Sequence, residues 1–183
     1  MRHILSGLTF IERISTWIAA ALLLAVMIIV SADVFMRYVF NSPFSWAYDL
    51  ISLYLMAGIF FLVLSPAYAV GTHINVDVIQ QSLPPRGIRT AEVVNTAAGL
   101  IIFILIAYLG LTRAIDSFHA GDVIAGAIPW PTWPSLALVP FGAGLLSLRL
   151  ALHLISHVAG FSTGEDIVPP PSHHQPGSEE TFE

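Results

Sequence analysis

The chain has no cysteine and no lysine, and only 10% of its residues are charged. Without cysteine it cannot build a disulfide framework, a thiolate metal site or a dithiol redox relay. With seven arginines as its only basic residues besides histidine, it has no basic patch of the kind that binds nucleic acid. No serine lies in a nucleophile-elbow pattern, and no glycine-rich loop is spaced to hold phosphate. We therefore predict that the protein is not an enzyme and does not bind nucleic acid.

Apolar residues are abundant instead. They make up 56% of the 183 residues, and the mean hydropathy is +0.78. A water-soluble fold of this size could not cover such a composition with polar side chains, so lipid must be the solvent for much of the chain. The formal charge of −5 comes from the C-terminal tail, without which seven acids balance seven arginines. The tail acids are Glu165, Asp166, Glu179, Glu180 and Glu183.

Four long uncharged stretches predict four transmembrane helices, because a hydrocarbon core about 30 Å thick needs about 20 apolar residues. The predicted helices cover about residues 14–38, 47–70, 92–114 and 134–157. The predicted fold class is therefore all-α, an integral membrane four-helix bundle. The first stretch is too long for the apolar core of a signal peptide and lacks a cleavage site, so we interpret it as a retained helix.

Three segments lie outside these helices. In residues 1–13, together with the first residue of the helix, four apolar side chains predict one face of a short interfacial helix: Leu8, Phe10, Ile11 and Ile14. Pro84 and Pro85 predict a break before the third helix. Residues 158–183 are rich in proline, serine, histidine and glutamate, and we predict a disordered cytoplasmic tail.

The arginines predict the orientation, because cytoplasmic segments carry an excess of positive charge. Five lie on the side that holds both termini and two on the other, which places both termini in the cytoplasm. The first group is Arg2, Arg13, Arg86, Arg89 and Arg149, and the second is Arg37 and Arg113. An aromatic belt at the outer face is predicted from Trp46, Trp130 and Trp133, with Trp17 near the inner interface.

Charged residues near the spans are candidates for function, because each is costly in the bilayer. Asp33 and Arg37 lie four residues apart on one helical face, which predicts a local ion pair. Contact with a partner protein is a second interpretation and does not exclude the first. Asp49 opens the second helix, where it favours the helix dipole or fixes the turn at 41–46.

Seven histidines raise the hypothesis of a membrane cytochrome, but no helix centre carries one. His153 and His157 share one face at the inner end of the fourth helix, without a third metal ligand nearby in sequence. We therefore predict no cofactor and no metal. A redox subunit and a self-sufficient small carrier remain as alternative functions. Small residues at 97–99 and 142–144 predict close helix packing, within the bundle or against a larger partner.

Several motifs resemble one known family. VFMRYVFN at residues 34–41 is followed by Pro43 and Trp46, and GTHINVD at 71–77 follows the second helix. A stretch from Ile128 through Pro140-Phe141-Gly142 leads into the fourth helix. Over about residues 12–157 the chain resembles the small permease (DctQ-like) subunits of tripartite ATP-independent periplasmic (TRAP) transporters. Asp49 stands where glutamate is more usual, and the acidic tail is outside the family pattern.

The resemblance implies a subunit of the bacterial inner membrane within a three-part, sodium-driven uptake system for an organic acid. A large permease subunit would carry the sodium and substrate sites, and this chain would scaffold it among membrane lipids. The resemblance also implies a periplasmic substrate-binding protein that docks on the outer loops, 38–48 and 114–133. The charged residues expected at that docking surface are Arg37, Asp49, Asp116 and Asp122.

Overall fold

The computed structural model of the chain describes residues 2–70, 85–126 and 128–163. Within these ranges the main elements are four helices, and we find no β-strand beyond an isolated bridge between Val123 and Pro131. The helices are α1 (Arg2–Phe40), α2 (Ala47–Ala69), α3 (Pro85–Ala120) and α4 (Trp133–Thr163). Each contains a stretch long and apolar enough to cross a membrane. The all-α class and the four predicted spans are confirmed.

The helices are longer than the sequence predicts. α1 runs without a break for 39 residues, or about 58 Å, so residues 2–13 are its first turns, continuous with the first span. Their position at a membrane interface stays a prediction. α3 begins at Pro85, a residue suited to the first helical position because it needs no N–H bond there. α4 continues to Thr163, into the segment predicted as a tail. The remaining tail and the 71–84 loop lie outside the described residues.

The four apolar residues predicted to form one face of an interfacial helix differ in burial. Leu8 is buried, at 3% exposure, whereas Phe10, Ile11 and Ile14 are all exposed by more than 40%. Leu8 therefore does not share a face with Phe10 and Ile14, which lie about 160° and about 120° from it around the helix, while Ile11 lies about 60° away at the edge of the buried stripe. The buried stripe follows helical spacing instead and consists of Leu8, Glu12, Ser15 and Ala19.

The helices pack in the order α1, α2, α4, α3, so that α2 and α4 form the centre. Gly142 makes the closest approach at this centre. A Cβ added there would lie 2.1 Å from the backbone oxygen of Phe61, so only glycine lets α2 and α4 meet. Gly110 of α3 faces α4 in a similar way, since a Cβ added to Gly110 would lie 2.9 Å from Cγ1 of Val139. Gly144, by contrast, has no atom within 4 Å of an added Cβ.

α2 is irregular near its start. One turn, Ile51–Leu55, has π-helical hydrogen bonding, and the Ser52 hydroxyl donates to the backbone oxygen of Tyr48 at 2.7 Å. Such turns often accompany functional sites. α2 then continues through Pro66 to Ala69, and the kink that the sequence predicts at Pro66 stays a prediction. The π-turn faces the connection between α3 and α4, as the side-chain contacts below show.

Candidate functional site

Both described connections meet at the same end of the bundle, which we call the loop end: residues 41–46 together with 121–126 and 128–132. The Tyr54 hydroxyl, in the π-turn, donates to the backbone oxygen of Pro131, and its ring meets that of Trp130 edge-on at 5.9 Å. Asp49 lies against Gly126, since a Cβ added to Gly126 would be 2.6 Å from Oδ2 of Asp49. These contacts join the first turns of α2 to the second connection, 121–126 and 128–132.

Asp33 organises the first connection. Its Oδ2 accepts a hydrogen bond from Arg37 at 2.7 Å, which forms an ion pair, and its Oδ1 accepts the backbone N–H of Phe44, also at 2.7 Å. Between them Asn41 adopts the left-handed conformation, with φ of 49°, and ends α1. The carboxylate thus fixes both the last turn of α1 and the path of the chain toward α2.

The second connection is a short hairpin. The backbone N–H of Ile124 donates to the oxygen of Trp130 at 2.9 Å, and that of Thr132 donates to the oxygen of Asp122 at 3.0 Å. The hydroxyls of Ser117 and Thr132 lie 2.5 Å apart and tie the hairpin to the end of α3. This hydrogen bonding gives the 121–132 region a defined shape on top of α2.

The four residues predicted to dock a binding protein all lie at the loop end, in different surroundings. Asp116 and Asp122 are exposed, and the Arg37 side chain is 60% exposed although it pairs with Asp33. Asp49 is half-buried beneath the second connection. Three of the four are therefore exposed, while Asp49, in the first turn of α2, lies against the second connection. Their role in docking stays a prediction.

Three tryptophans also come together at the loop end. Trp46 stacks on Phe44 with ring centroids 5.4 Å apart, and Trp133 meets Phe118 edge-on at the same separation. The buried indole N–H of Trp130 has no acceptor among the described residues. Trp17, which is 71% exposed, lies in the opposite half of α1. This arrangement agrees with the predicted belt, whose position in a membrane stays a prediction.

The opposite end of the bundle, which we call the termini end, holds a polar cluster that the sequence does not reveal. Ser65 of α2 donates to Oε1 of Glu12 at 2.5 Å, and Arg149 of α4 donates to its Oε2. Glu12 is only 4% exposed. Next to Arg149 on α4, His153 is buried and its ring meets that of Tyr68 at 5.5 Å.

The sequence contained a signal for this cluster. Glu12 and Ser15 share the helical spacing of the apolar residues Leu8 and Ala19, so they occupy the buried face of α1. That signal is hidden when residues 1–13 are interpreted as an interfacial segment. The sequence alone does not reveal Arg149 as a member of the cluster either, because the positive-inside rule considers it only as a cytoplasmic charge.

The chemistry of these clusters is structural. Glu12, Ser65 and Arg149 bond to one another across helices, although the buried Nε of Arg149 has no acceptor among the described residues. The serine hydroxyl of the termini end donates to a carboxylate instead of facing a base. Among the described residues, no three histidine, aspartate or glutamate side chains come together as a metal site. The polar groups therefore hold helices and connections in place.

Comparison with known proteins assigns the family. Residues 26–160 match the profile of the tripartite ATP-independent periplasmic transporters, DctQ component. The chain is also similar to the sialic acid TRAP transporter permease protein SiaT of Haemophilus influenzae (strain 86-028NP), with 26% identity over 163 residues. The match covers 87% of this chain and 25% of that relative, so the chain spans about a quarter of its length. With four spans and this match, the chain belongs to the DctQ family of inner-membrane TRAP transporter components and is not an enzyme.

Proposed function

We propose that this chain is the small membrane subunit of a TRAP transporter and scaffolds a large permease subunit. Family membership carries the proposal. The exposed surface of the helices supports it. In the most apolar 18-residue stretch of α1 only 6% of the residues are buried within the chain, and in that of α3 only 11%. The relative SiaT is named a permease and is about four times as long as the matching segment, which agrees with a larger permease in which this segment is one part.

We also propose that the loop end docks a periplasmic substrate-binding protein. Arg37 at the end of α1, Asp116 at the end of α3 and Asp122 in the second connection are exposed there, next to connections that hydrogen bonds hold in a fixed shape. The termini end would then face the cytoplasm, in agreement with its excess of arginines. A rigid outer surface with both signs of charge suits a soluble partner that must bind and leave repeatedly.

We propose that the transported substrate is an organic acid and that sodium drives its uptake. The large permease binds this substrate, and this chain does not. The charged residues that the structure describes support this division of roles between the two subunits. Glu12 is fully engaged with Ser65 and Arg149, and no charged residue lies between Arg13 and Asp33 along α1. The name of the relative specifies sialic acid, which is one organic acid of this class.

Uptake by the complete transporter, with and without this chain, tests the proposal. Cells or proteoliposomes that contain the large permease and the binding protein should lose sodium-dependent uptake when this chain is omitted. Added back, the chain should restore it. Full uptake without the chain would refute the proposed function, whatever the chain's other properties.

A further inference from the structure

A buried ion pair needs an explanation other than stability. Glu12 is 4% exposed as a residue and the Arg149 side chain 16%, so both charges have largely lost their contact with solvent. Burial costs each ion several kcal/mol, and an apolar pair of similar volume often gives equal or greater stability. Such pairs are best attested as devices that fix register and orientation. That interpretation fits here, because the three residues of the cluster lie on different helices: Glu12 on α1, Ser65 on α2 and Arg149 on α4.

α1 needs such a device more than the other helices. It has its main contacts with α2 alone, at one edge of the helix row, and most of its apolar side chains face outward. Apolar contacts in lipid discriminate poorly between rotations of a helix, because the bilayer is as apolar as the neighbouring side chains. The side chains of Glu12 and Arg149 reach past α2 and join α1 to α4.

A second polar contact holds the other end of α1, where Asp33 binds the Phe44 N–H. From Glu12 to Asp33 the helix rises about 32 Å, at about 1.5 Å per residue. The hydrocarbon core of a bilayer is about 30 Å thick. Both contacts can therefore lie at the membrane boundaries, with the uncharged stretch of α1 between them.

We propose that Glu12, Ser65 and Arg149 form a polar clamp that sets the position and rotation of α1 for assembly with the large permease. The clamp keeps the stripe with Leu8, Ser15 and Ala19 against the bundle and turns the opposite face outward. This inference rests on the proposed function, because it assigns the outward face of α1 to the transporter complex. The three residues act as positioning residues and touch no substrate.

Variants that remove one charge of the ion pair, remove both charges or exchange them test the clamp. Glu12→Gln and Arg149→Gln each leave one buried partner unpaired and should lower both the melting temperature of the purified complex and uptake. Glu12→Leu with Arg149→Met removes both charges and should restore the melting temperature, while uptake stays lower by about ten-fold. The exchange Glu12→Arg with Arg149→Glu should recover part of the uptake. Arg13→Gln, at an exposed neighbouring charge, is the matched control and should behave like the wild type.

The position of α1 can be followed directly, because the chain has no cysteine. Leu8 is 3% exposed and lies one turn before Glu12, outside the uncharged stretch, so Leu8→Cys should react slowly with a water-soluble maleimide. In the Glu12→Leu, Arg149→Met background the reaction should be about ten-fold faster. Arg13→Cys, at an exposed position, should react equally fast in both backgrounds and serves as the control.

Wild-type uptake and slow Leu8→Cys labelling in the Glu12→Leu, Arg149→Met variant would overturn the clamp, since apolar contacts would then suffice. Failure of the chain itself to fold in the membrane in both double variants would also overturn it, because the pair would then be only a folding requirement. These outcomes differ from failure of the proposed function, in which the transporter would keep full uptake after the entire chain is omitted.

Discussion

The backbone N–H of Phe44 donates to Oδ1 of Asp33 at 2.7 Å, and this bond joins the last turn of α1 to the connection eleven residues later. The other oxygen of Asp33 holds Arg37 at the same distance. One carboxylate therefore has two tasks of different kinds, and substitutions can separate them. The ion pair is open to solvent, whereas the bond to Phe44 defines the shape of the connection.

Asp33→Ala should lower the melting temperature of the purified protein more than Arg37→Gln does. Asp33→Ala removes the acceptor for Phe44 and the partner of Arg37, whereas Arg37→Gln removes only an exposed pair of the kind that adds little stability. Asp33→Asn keeps an oxygen for the Phe44 N–H and should fall between the two. Equal melting temperatures for Asp33→Ala and Arg37→Gln would show that the Phe44 bond contributes nothing.

Gly142→Ala should destabilise the bundle and Gly144→Ala should not. The methyl group at residue 142 would meet the Phe61 backbone, which cannot move aside as a flexible side chain can. Overpacking of this kind costs about 1–3 kcal/mol or more. Thermal unfolding in detergent measures both variants, with Gly144→Ala as the control because open space surrounds that position. A Gly142→Ala variant as stable as the control would contradict the close α2–α4 contact.

Trp130→Phe should preserve stability, although tryptophan N–H groups usually have partners. The indole N–H of Trp130 is buried without an acceptor among the described residues, so its removal relieves an unsatisfied donor. Trp130→Ala should instead cost about 2 kcal/mol or more, because the contact with Tyr54 and its apolar packing are lost. Thermal unfolding distinguishes the two. A large loss in Trp130→Phe would reveal an acceptor for the N–H in the complete membrane complex.

Charge reversal at the loop end should separate docking from assembly. Asp116→Lys and Asp122→Lys should slow uptake and weaken binding of the periplasmic protein, with the amount of membrane complex unchanged, because both side chains are exposed. The effect should shrink as ionic strength rises. Asp49→Lys should lower the yield of complex itself, since Asp49 lies beneath Gly126. Normal binding and uptake in both exposed variants would remove these residues from the docking surface.

The sequence predicted what depends on long uncharged stretches and on local chain geometry. The four spans follow from composition. The start of α3 is predicted near residue 92, because Pro84 and Pro85 indicate a break, whereas Pro85 is the first helical residue, a position that suits proline. The ion pair of Asp33 with Arg37 requires only helical spacing, so it too could be predicted. The helix length of α1 was underestimated, because Glu12 and Arg13 look like a boundary when charges are taken to end a span.

Contacts between distant residues could not be predicted in this way. Glu12 and Ser65 meet only because α2 packs beside α1, and Arg149 reaches them only because α4 packs beside α2. The Phe44 bond to Asp33 depends likewise on how the connection folds back. A single sequence shows the spacing of such residues along each helix, while the helix order that brings them together comes from packing in three dimensions.

Affinity purification of this chain from its native membrane, followed by identification of what accompanies it, tests the central claim most directly. The account predicts a stoichiometric, highly hydrophobic permease subunit and uptake activity that requires both chains and a periplasmic binding protein. Recovery of the chain alone, or with a haem-bearing partner, would leave the four membrane-spanning helices intact and contradict the assignment as a scaffolding subunit of a transporter.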